Sequence, residues 1–294
     1  MATELDVLVI GDVITDTIVR AGTERVDDAD TPASITRSPG GQGANQAAWL
    51  AVAGARTALI ARVGADDAAG HRDHLASLGV EAILREDAAL PTGEIVVIVE
   101  ATSSVRHMYT QRGAAAALEP SDIDPAHIGR SRWVHVSGYM LGGAGGAEVM
   151  AHIMEVAGRS GTPVSLDPAS ITEIDRLGAA TFVRPGLAAI FPNAAELVAL
   201  TGVVDVESAV RALGRSVPIV VASLGAAGAM AFERTTGELV HLPAATERVV
   251  DTTGAGDALA AGFLAGHVSG SSLRDALQEG LDLAADAVAR VGAH

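Results

Sequence analysis

Two residue types are missing from this 294-residue chain, and each absence excludes a kind of chemistry. There is no cysteine, so disulfide bonds, thiolate nucleophiles and cysteine metal ligands are excluded. There is also no lysine, because all 20 basic residues are arginine. The phosphate-binding loop G-x-x-x-x-G-K-[ST] therefore cannot occur, and any nucleoside triphosphate must be held without it.

Positive charge and aromatic side chains are scarce as well. The formal net charge is −16, and aromatic residues make up 3% of the chain. Nucleic acids and anionic membrane surfaces attract proteins through basic patches, so neither is expected as a partner. Few aromatic rings are therefore available to stack on a nucleobase.

Long apolar runs are lacking too. Hydrophobic residues make up 49% of the chain, which is typical of a globular core. No run approaches the roughly 18 residues that cross a bilayer. The first apolar run, residues 5–10, is short and flanked by acids, unlike a secretion signal. A cytoplasmic location is therefore expected.

The second half of the chain alternates predicted strands with predicted helices. The strands are predicted at 133–136, 163–166, 188–191 and 219–222, and the helices at 147–159, 194–200, 206–213 and 255–267. This alternation is typical of a parallel sheet with helices on both faces. It predicts an α/β fold, a three-layer αβα sandwich with a mostly parallel central sheet.

The first half begins in the same way but contains an interruption. A buried strand is predicted at 6–10, a glycine-rich turn at 38–43, a helix at 44–53, a strand at 57–63 and a helix at 68–78. Two β-rich runs at 93–100 and 105–110 then follow each other closely, which predicts a hairpin. Together with a strand at 15–20, this hairpin could form a small sheet outside the main one.

The segment D-T-T-G-A-G-D at 251–257 carries the strongest chemical signal. Gly254, Ala255 and Gly256 precede an apolar helix, so their backbone N–H groups can converge at a helix N-terminus and form an anion hole without lysine. Asp257 can accept a proton from an alcohol nucleophile. Phosphoryl transfer needs both features. Taken alone, the segment is also compatible with an aspartate that caps a helix after a glycine turn.

A second segment, G-G-Q-G-A-N-Q-A, occupies residues 40–47. Gly40 and Gly41 would let a ligand approach the backbone closely, and Gln42 and Asn45 could hydrogen-bond a polyol. The alternative is a simple turn that leads into a helix.

The two segments, in this order and far apart in the chain, resemble the two signatures of the ribokinase-like PfkB family of carbohydrate kinases. The likeness spans almost the whole chain. Further matches are Gly11-Asp12 with Asp16, Asp167-Pro168, residues 192–196 and residues 223–228. The resemblance implies one domain over residues 1–294, with a small β-strand lid from about 13–38 and 92–111.

The resemblance also implies an activity. Members transfer the γ-phosphoryl group of ATP to a hydroxymethyl group of a small sugar, ribose or a related compound. Asp257 would be the catalytic base, and the amides of residues 254–256 the anion hole. Asn193 and Glu196 resemble the family's N-x-x-E motif, which organises Mg²⁺ largely through water. Ser223, Gly225 and Gly228 resemble the ATP-binding turn.

The remaining site residues are also implied by the resemblance. The acceptor would contact Asp12, Asp16, Gly40, Gly41, Gln42, Asn45, Arg112 and Tyr139. Asp251 and Thr253 resemble part of a monovalent-cation (K⁺) site, which Gly292 and Ala293 would complete. The resemblance further implies a homodimer formed through the lid.

The chain departs from ribokinases at three places, one of which is Asp282, where an asparagine often lies near the adenine. Gln42 stands where ribokinases usually have a lysine, and residues 136–143 lack the acid that usually follows the central strand, so Tyr139 could replace it. Ribose itself is therefore in doubt, and a nucleoside kinase is the alternative. A non-catalytic sugar or nucleotide sensor is a further alternative, although a sensor has no need of Asp257.

Overall fold

The computed structural model describes residues 4–24, 28–101, 106–244 and 249–289. The strands are β1 Leu5–Ile10, β2 Ile14–Ala21, β3 Ala33–Gly40, β4 Thr57–Gly64, β5 Val80–Asp87, β6 Gly93–Val99, β7 Arg106–Gln111, β8 Ser131–Ser137, β9 Val164–Asp167, β10 Ala189–Ile190, β11 Ile219–Ser223, β12 Ala229–Glu233 and β13 Glu238–Leu242. The helices are α1 Gln42–Val52, α2 Ala68–Ser77, α3 Pro125–Gly129, α4 Gly146–Ser160, α5 Ile171–Leu177, α6 Ala179–Phe182, α7 Ala194–Thr201, α8 Val206–Leu213, α9 Ala255–Ser269 and α10 Leu273–Val288. No helix within these ranges combines the length and apolar character needed to cross a bilayer.

The main sheet is buried on both faces. Its strand order is β13-β12-β11-β10-β9-β8-β1-β4-β5, and every pair from β11 to β5 is parallel. Along β1, Val7 and Val9 join the core that contains α1, α9 and α10, whereas Leu8 and Ile10 join the core that contains α4, α7 and α8. Alternate residues of the strand thus pack on opposite faces of the sheet, and the predicted three-layer fold is confirmed.

The sequence patterns did not predict the two strands at one end of the main sheet. β12 and β13 pair antiparallel to their neighbours, in register with Val220 opposite Phe232 and Ala231 opposite Val240. Only residues 224–228 and 234–237 connect these strands. A parallel crossover needs a dozen or more residues, so such short connections enforce antiparallel pairing.

A smaller sheet has the order β3-β2-β6-β7. β6 and β7 pair antiparallel with Val97 opposite Met108, which confirms the predicted hairpin pairing. The prediction of a turn throughout 38–43 is wrong, because residues 38–40 continue β3. Pro39 is tolerated there since β3 is an edge strand, where a missing N–H donor breaks no ladder.

The parallel strands of the main sheet bring their carboxyl ends to one edge. Asp12 follows β1, Ser137 ends β8, Asp167 ends β9, Asn193 follows β10 and Ser223 ends β11. In open α/β sheets, this edge is where ligands bind. The fold thus gathers polar residues that are far apart in sequence.

Candidate active site

The N-terminus of α9 opens onto this edge. Gly254 caps the helix with a left-handed backbone (φ 79°), a conformation that strains residues with a side chain. Gly256 is exposed, and apart from its chain neighbours and the adjacent backbone of α9, no atom lies within 4 Å of the place where its side chain would begin. The first turn of α9 therefore presents backbone amides to open space, with Asp257 in the same turn.

Asp257 is a partly buried carboxylate beside other polar groups. Burial raises the pKa of Asp257 well above its ordinary value, and the charge of Asp167 raises it further. Hydrogen bonds from Asn45 and Gln46 act in the opposite direction, and Asn45 Nδ2 lies 3.2 Å from Asp257 Oδ2. An aspartate with a raised pKa beside a helix N-terminus is suited to proton exchange nearer neutral pH.

Asp167 is the neighbour that sequence reasoning did not assign to the site. Its Oδ1 accepts hydrogen bonds from Gln42 Nε2 at 2.9 Å and from the Ala169 N–H at 3.0 Å, and its Oδ2 accepts one from Gln46 Nε2 at 3.0 Å. Burial raises the pKa of Asp167, and the charge of Glu196 adds to this effect. Its position directly after a predicted strand was the available signal.

Asp12 lies at the other end of the same hydrogen-bond network. It is 3% exposed, and its Oδ1 accepts from Ser137 Oγ and from the Gly43 N–H, each at 3.0 Å. Its Oδ2 pairs with Arg112 at 3.2 Å, and the Arg112 guanidinium lies 3.7 Å from the centre of the Tyr139 ring. Asp12, Arg112 and Tyr139 therefore form one connected cluster.

Asp16 lies beside this cluster on β2 and packs against Gly40 of β3, where a side chain would overlap the Asp16 carboxylate. Burial, and to a lesser extent the charge of Asp12, raise the pKa of Asp16 to about 6. Gly41 has φ 103°, and a side chain there would lie 2.7 Å from the Asp12 carbonyl oxygen. Both glycines are thus required by close packing of the protein itself.

Gln42 already has protein partners at both ends of its amide. Its Nε2 donates to Asp167, and its Oε1 accepts from Ser137 Oγ at 2.7 Å. The single hydroxyl proton of Ser137 is shared between Gln42 and Asp12, whose Oδ1 lies 3.0 Å from Ser137 Oγ. Through Asp167 and Gln46, a chain of polar interactions therefore runs from Arg112 to Asp257. Gln42 links the two ends of the candidate site.

Asn193 and Glu196 hold each other at the start of α7. Asn193 Oδ1 accepts from the N–H groups of Ala195 and Glu196, and Glu196 Oε2 accepts from the Asn193 N–H at 2.9 Å. Glu196 is 5% exposed, and burial raises its pKa. This capping arrangement fixes a buried carboxylate at the cleft.

Two cavities meet at the start of α9. The smaller has a volume of about 170 Å³, and the residues that line it carry most of the polar groups described above: Gln42, Asp167, Ala169, Phe191, Asn193, Glu196, Ser223, Gly254, Gly256 and Asp257. The larger, of about 410 Å³, is lined by Ser223, Gly225, Gly228 and mainly apolar residues that include several of α9 and α10. Ser223 and Gly256 line both cavities.

The predicted cation-site residues lie just before α9. Asp251 Oδ1 accepts hydrogen bonds from the N–H of Thr253 at 3.0 Å and from its Oγ1 at 2.7 Å. Neither residue lines the two cavities. Gly292 and Ala293 lie outside the described residues.

Comparison with known proteins identifies the family. The family model for pfkB family carbohydrate kinases matches residues 4–294. The chain is 32% identical over 269 residues to a 1-phosphofructokinase of Rhodobacter capsulatus, covering 87% of this chain and 81% of the relative. It is 27% identical over 295 residues to a cytidine kinase of Thermococcus kodakarensis, covering 98% of each.

A solved structure, the adenosine kinase of Sinorhizobium meliloti, superposes with a TM-score of 0.88 at 26% identity, covering 99% of this chain and 96% of that one. This chain belongs to the PfkB family of carbohydrate kinases. It is an ATP-binding phosphotransferase that uses an alcohol group as acceptor.

Proposed function

We propose that this protein transfers the γ-phosphoryl group of ATP to a hydroxymethyl group of a small sugar, ribose or a related compound, with Asp257 as the base. One observation carries the proposal: Gly256, at the N-terminus of α9, borders both cavities, and Asp257 lines the smaller one. A nucleotide in the larger cavity would direct its phosphates toward the amides of residues 254–256, beside the base.

Asp257 would begin the reaction by removing the proton of the acceptor hydroxyl. The acceptor oxygen forms a bond to the γ-phosphorus while the bond from that phosphorus to the oxygen bridging to the β-phosphate breaks, and ADP leaves with the electron pair. The amides of Gly254, Ala255 and Gly256 stabilise the charge on the transferred group. The raised pKa of Asp257 makes it a stronger base than an ordinary aspartate.

The larger cavity suits the nucleoside part of ATP. Leu259 of α9 and Leu281 of α10 contribute apolar surface for a flat base, and Ser223 stands where the two cavities meet. Gly228 has φ 89°, and a side chain there would collide with the Leu242 carbonyl oxygen. Close packing against residues 242–244 therefore requires glycine in this turn, which lines the larger cavity.

Mg²⁺ fits the smaller cavity. Asp167, Glu196 and Asp257 line it, and burial raises the pKa of each of these carboxylates. A divalent cation would offset this unfavourable burial of like charges. The described residues hold no group of three or more histidine or acidic side chains arranged to bind a metal directly, so Glu196 and Asn193 would hold Mg²⁺ largely through water. When bound, Mg²⁺ would neutralise charge on the phosphates.

The acceptor would lie between the cleft and the small sheet, which would act as its lid. Asp16 presents its carboxylate beside Asp12, and carboxylates accept several hydrogen bonds from sugar hydroxyls. Arg112 and Tyr139, stacked on each other, would close the other side of the acceptor, with Asn45 near its reacting end. A nucleoside acceptor is the second candidate, favoured by the likeness to the cytidine and adenosine kinases.

Two further features belong to the same proposal. Asp251 and Thr253 would contribute to a monovalent-cation (K⁺) site just before the anion hole. The small sheet would also form a homodimer interface, since Ile35, Met108 and Tyr109 on its two edge strands are at least 63% exposed. Exposed apolar side chains of this size are typical of interaction surfaces.

ADP release with Mg-ATP against pentoses, hexoses, ketodeoxy acids and nucleosides, with and without K⁺, tests the function. Asp257→Asn keeps the shape of the side chain but removes the base, so we expect kcat to fall by about 100-fold or more with nucleotide binding retained. Asp73→Asn makes the same change on the exposed face of α2 and should leave turnover unchanged. Turnover near the wild-type rate in Asp257→Asn would refute the assignment of the base.

A further inference from the structure

We infer that Gln46 is a positioning residue that holds Asp167 and Asp257 in place through its side-chain amide. This inference rests on the proposed function, in which Asp257 is the base. Gln46 follows Asn45 in α1, and its side chain is completely buried. Its Nε2 donates to Asp167 Oδ2 at 3.0 Å, and a hydrogen bond from Gln46 also lowers the pKa of Asp257.

The location of Gln46 explains what its amide group can do. Asp167 ends β9 and Asp257 lies in the first turn of α9, so the two carboxylates come from separate parts of the fold. Like charges repel each other, and burial strengthens this repulsion because the local dielectric constant is low. The NH₂ group of Gln46 has two N–H bonds, one for each carboxylate, and can therefore hold both in fixed positions.

The other half of the same amide indicates that Gln46 is not there for stability. Within the described part of the chain, Gln46 Oε1 has no hydrogen-bond partner, although this oxygen is buried. An unpartnered buried acceptor costs free energy, and a methionine of similar length would avoid that cost. Methionine also forms helices about as well as glutamine does. The Oε1 atom of Gln46 thus lowers the stability of the fold, while its NH₂ group interacts with the two carboxylates.

Asn45 and Gln42 also donate to these carboxylates, but each of them donates to a different one. Residues 42, 45 and 46 lie on one face of α1, since positions three and four apart in a helix are neighbours. Asn45 donates to Asp257, and Gln42 donates to Asp167. Gln46 donates to Asp167 at 3.0 Å and its amide also acts on the Asp257 carboxylate, so it can hold the two carboxylates at a set separation. A base displaced by about 1 Å from the acceptor hydroxyl can lose about 100-fold in rate.

Gln46→Met is the direct test, because it removes the donor and the unpartnered acceptor together. We expect kcat to fall by about 10- to 100-fold. The KM for ATP should stay within about twofold of the wild-type value, because Gln46 lies outside the larger cavity. The midpoint of urea unfolding should stay the same or rise. Gln46→Asn retains an amide but withdraws it by one methylene, so it should lose kcat in the same way.

Gln278→Met is the matched control, since it makes the same change on α10, where Gln278 is exposed and donates to Asp282 at the surface. It should leave kcat unchanged. If both Gln46 variants keep kcat within about threefold of wild type while Asp257→Asn is inactive, the inference fails and the proposed function stands. A lower unfolding midpoint with kcat and KM changed together would show a structural role and would also overturn it. Full activity of Asp257→Asn would instead refute the proposed function itself.

Discussion

Replacement of Asp16 by asparagine should stabilise the protein at neutral pH. Asp16 is partly buried on β2 beside the carboxylate of Asp12, and its pKa is raised from 3.8 to about 6. The folded protein therefore binds this proton more tightly than the unfolded chain does. The stability that the bound proton contributes is fully present below pH 3.8 and is lost as the pH rises through 6.

The size of this stabilisation follows from the shift in the pKa of Asp16. Each pKa unit corresponds to about 1.4 kcal/mol, so at pH 7.5 the ionised Asp16 costs at most about 3 kcal/mol of unfolding free energy. By the same relation the cost falls to about 1 kcal/mol at pH 4.5. Solvent reaches part of the side chain and reduces both figures. Asp16→Asn should thus gain roughly 1–3 kcal/mol at pH 7.5 and distinctly less at pH 4.5.

Urea unfolding of wild type and variant at both pH values measures this difference directly. Asp12→Asn is the matched control, because Ser137, Gly43 and Arg112 all donate to the Asp12 carboxylate. Loss of one carboxylate oxygen there should destabilise the fold by about 1–3 kcal/mol. If Asp16→Asn destabilises the protein at pH 7.5 as Asp12→Asn does, native contacts hold the ionised Asp16 and the reasoning is wrong. Because Asp16 is also a proposed acceptor contact, the stabilised variant should have a raised KM for the sugar.

Three other predictions concern the site and the surface. Gly254→Ala should lower kcat by about 10-fold or more in steady-state assays and cost about 1–2 kcal/mol in urea unfolding, because alanine strains the left-handed cap of α9; an unchanged kcat would contradict the anion hole. On the acidic side of its pH profile, kcat/KM should reach half of its maximum at a pH well above 3.8, since Asp257 must be ionised to act as a base and its pKa is raised. A midpoint near pH 4 would contradict this. Met108→Ser combined with Tyr109→Ser should shift a dimer toward monomer in sedimentation velocity, and an unchanged dimer would exclude these two side chains from the interface.

Local sequence patterns predicted several elements closely. Helix α8 begins and ends where the apolar periodicity indicates, because Asp205 caps it and its apolar face repeats every three to four residues. The central strands were found because a parallel strand buried on both faces is a continuous apolar run. β5, by contrast, was missed, since its sequence V-E-A-I-L-R-E-D mixes charged and apolar residues at an edge of the main sheet.

The candidate site was predictable where all the groups needed for one chemical role lie in a single short segment. Gly254 and Asp257 lie in the same helical turn, so a glycine cap, converging amides and a carboxylate follow from adjacent residues. Gln42 illustrates the opposite case. The sequence suggested a contact to the acceptor, but the structure shows both ends of its amide bonded to Asp167 and Ser137, which are 125 and 95 residues away.

The sequence by itself determined the class of fold and the family, and it indicated the segment that bears the proposed base, because each rests on patterns within short stretches of the chain. Only the tertiary structure decided that the charge of Asp167 acts on Asp257, that Gln46 donates to Asp167, and that Asp16 lies unfavourably close to Asp12. The physical reason is that burial and mutual charge set the properties of these carboxylates, and both arise only when separate strands and helices meet at one edge of the sheet.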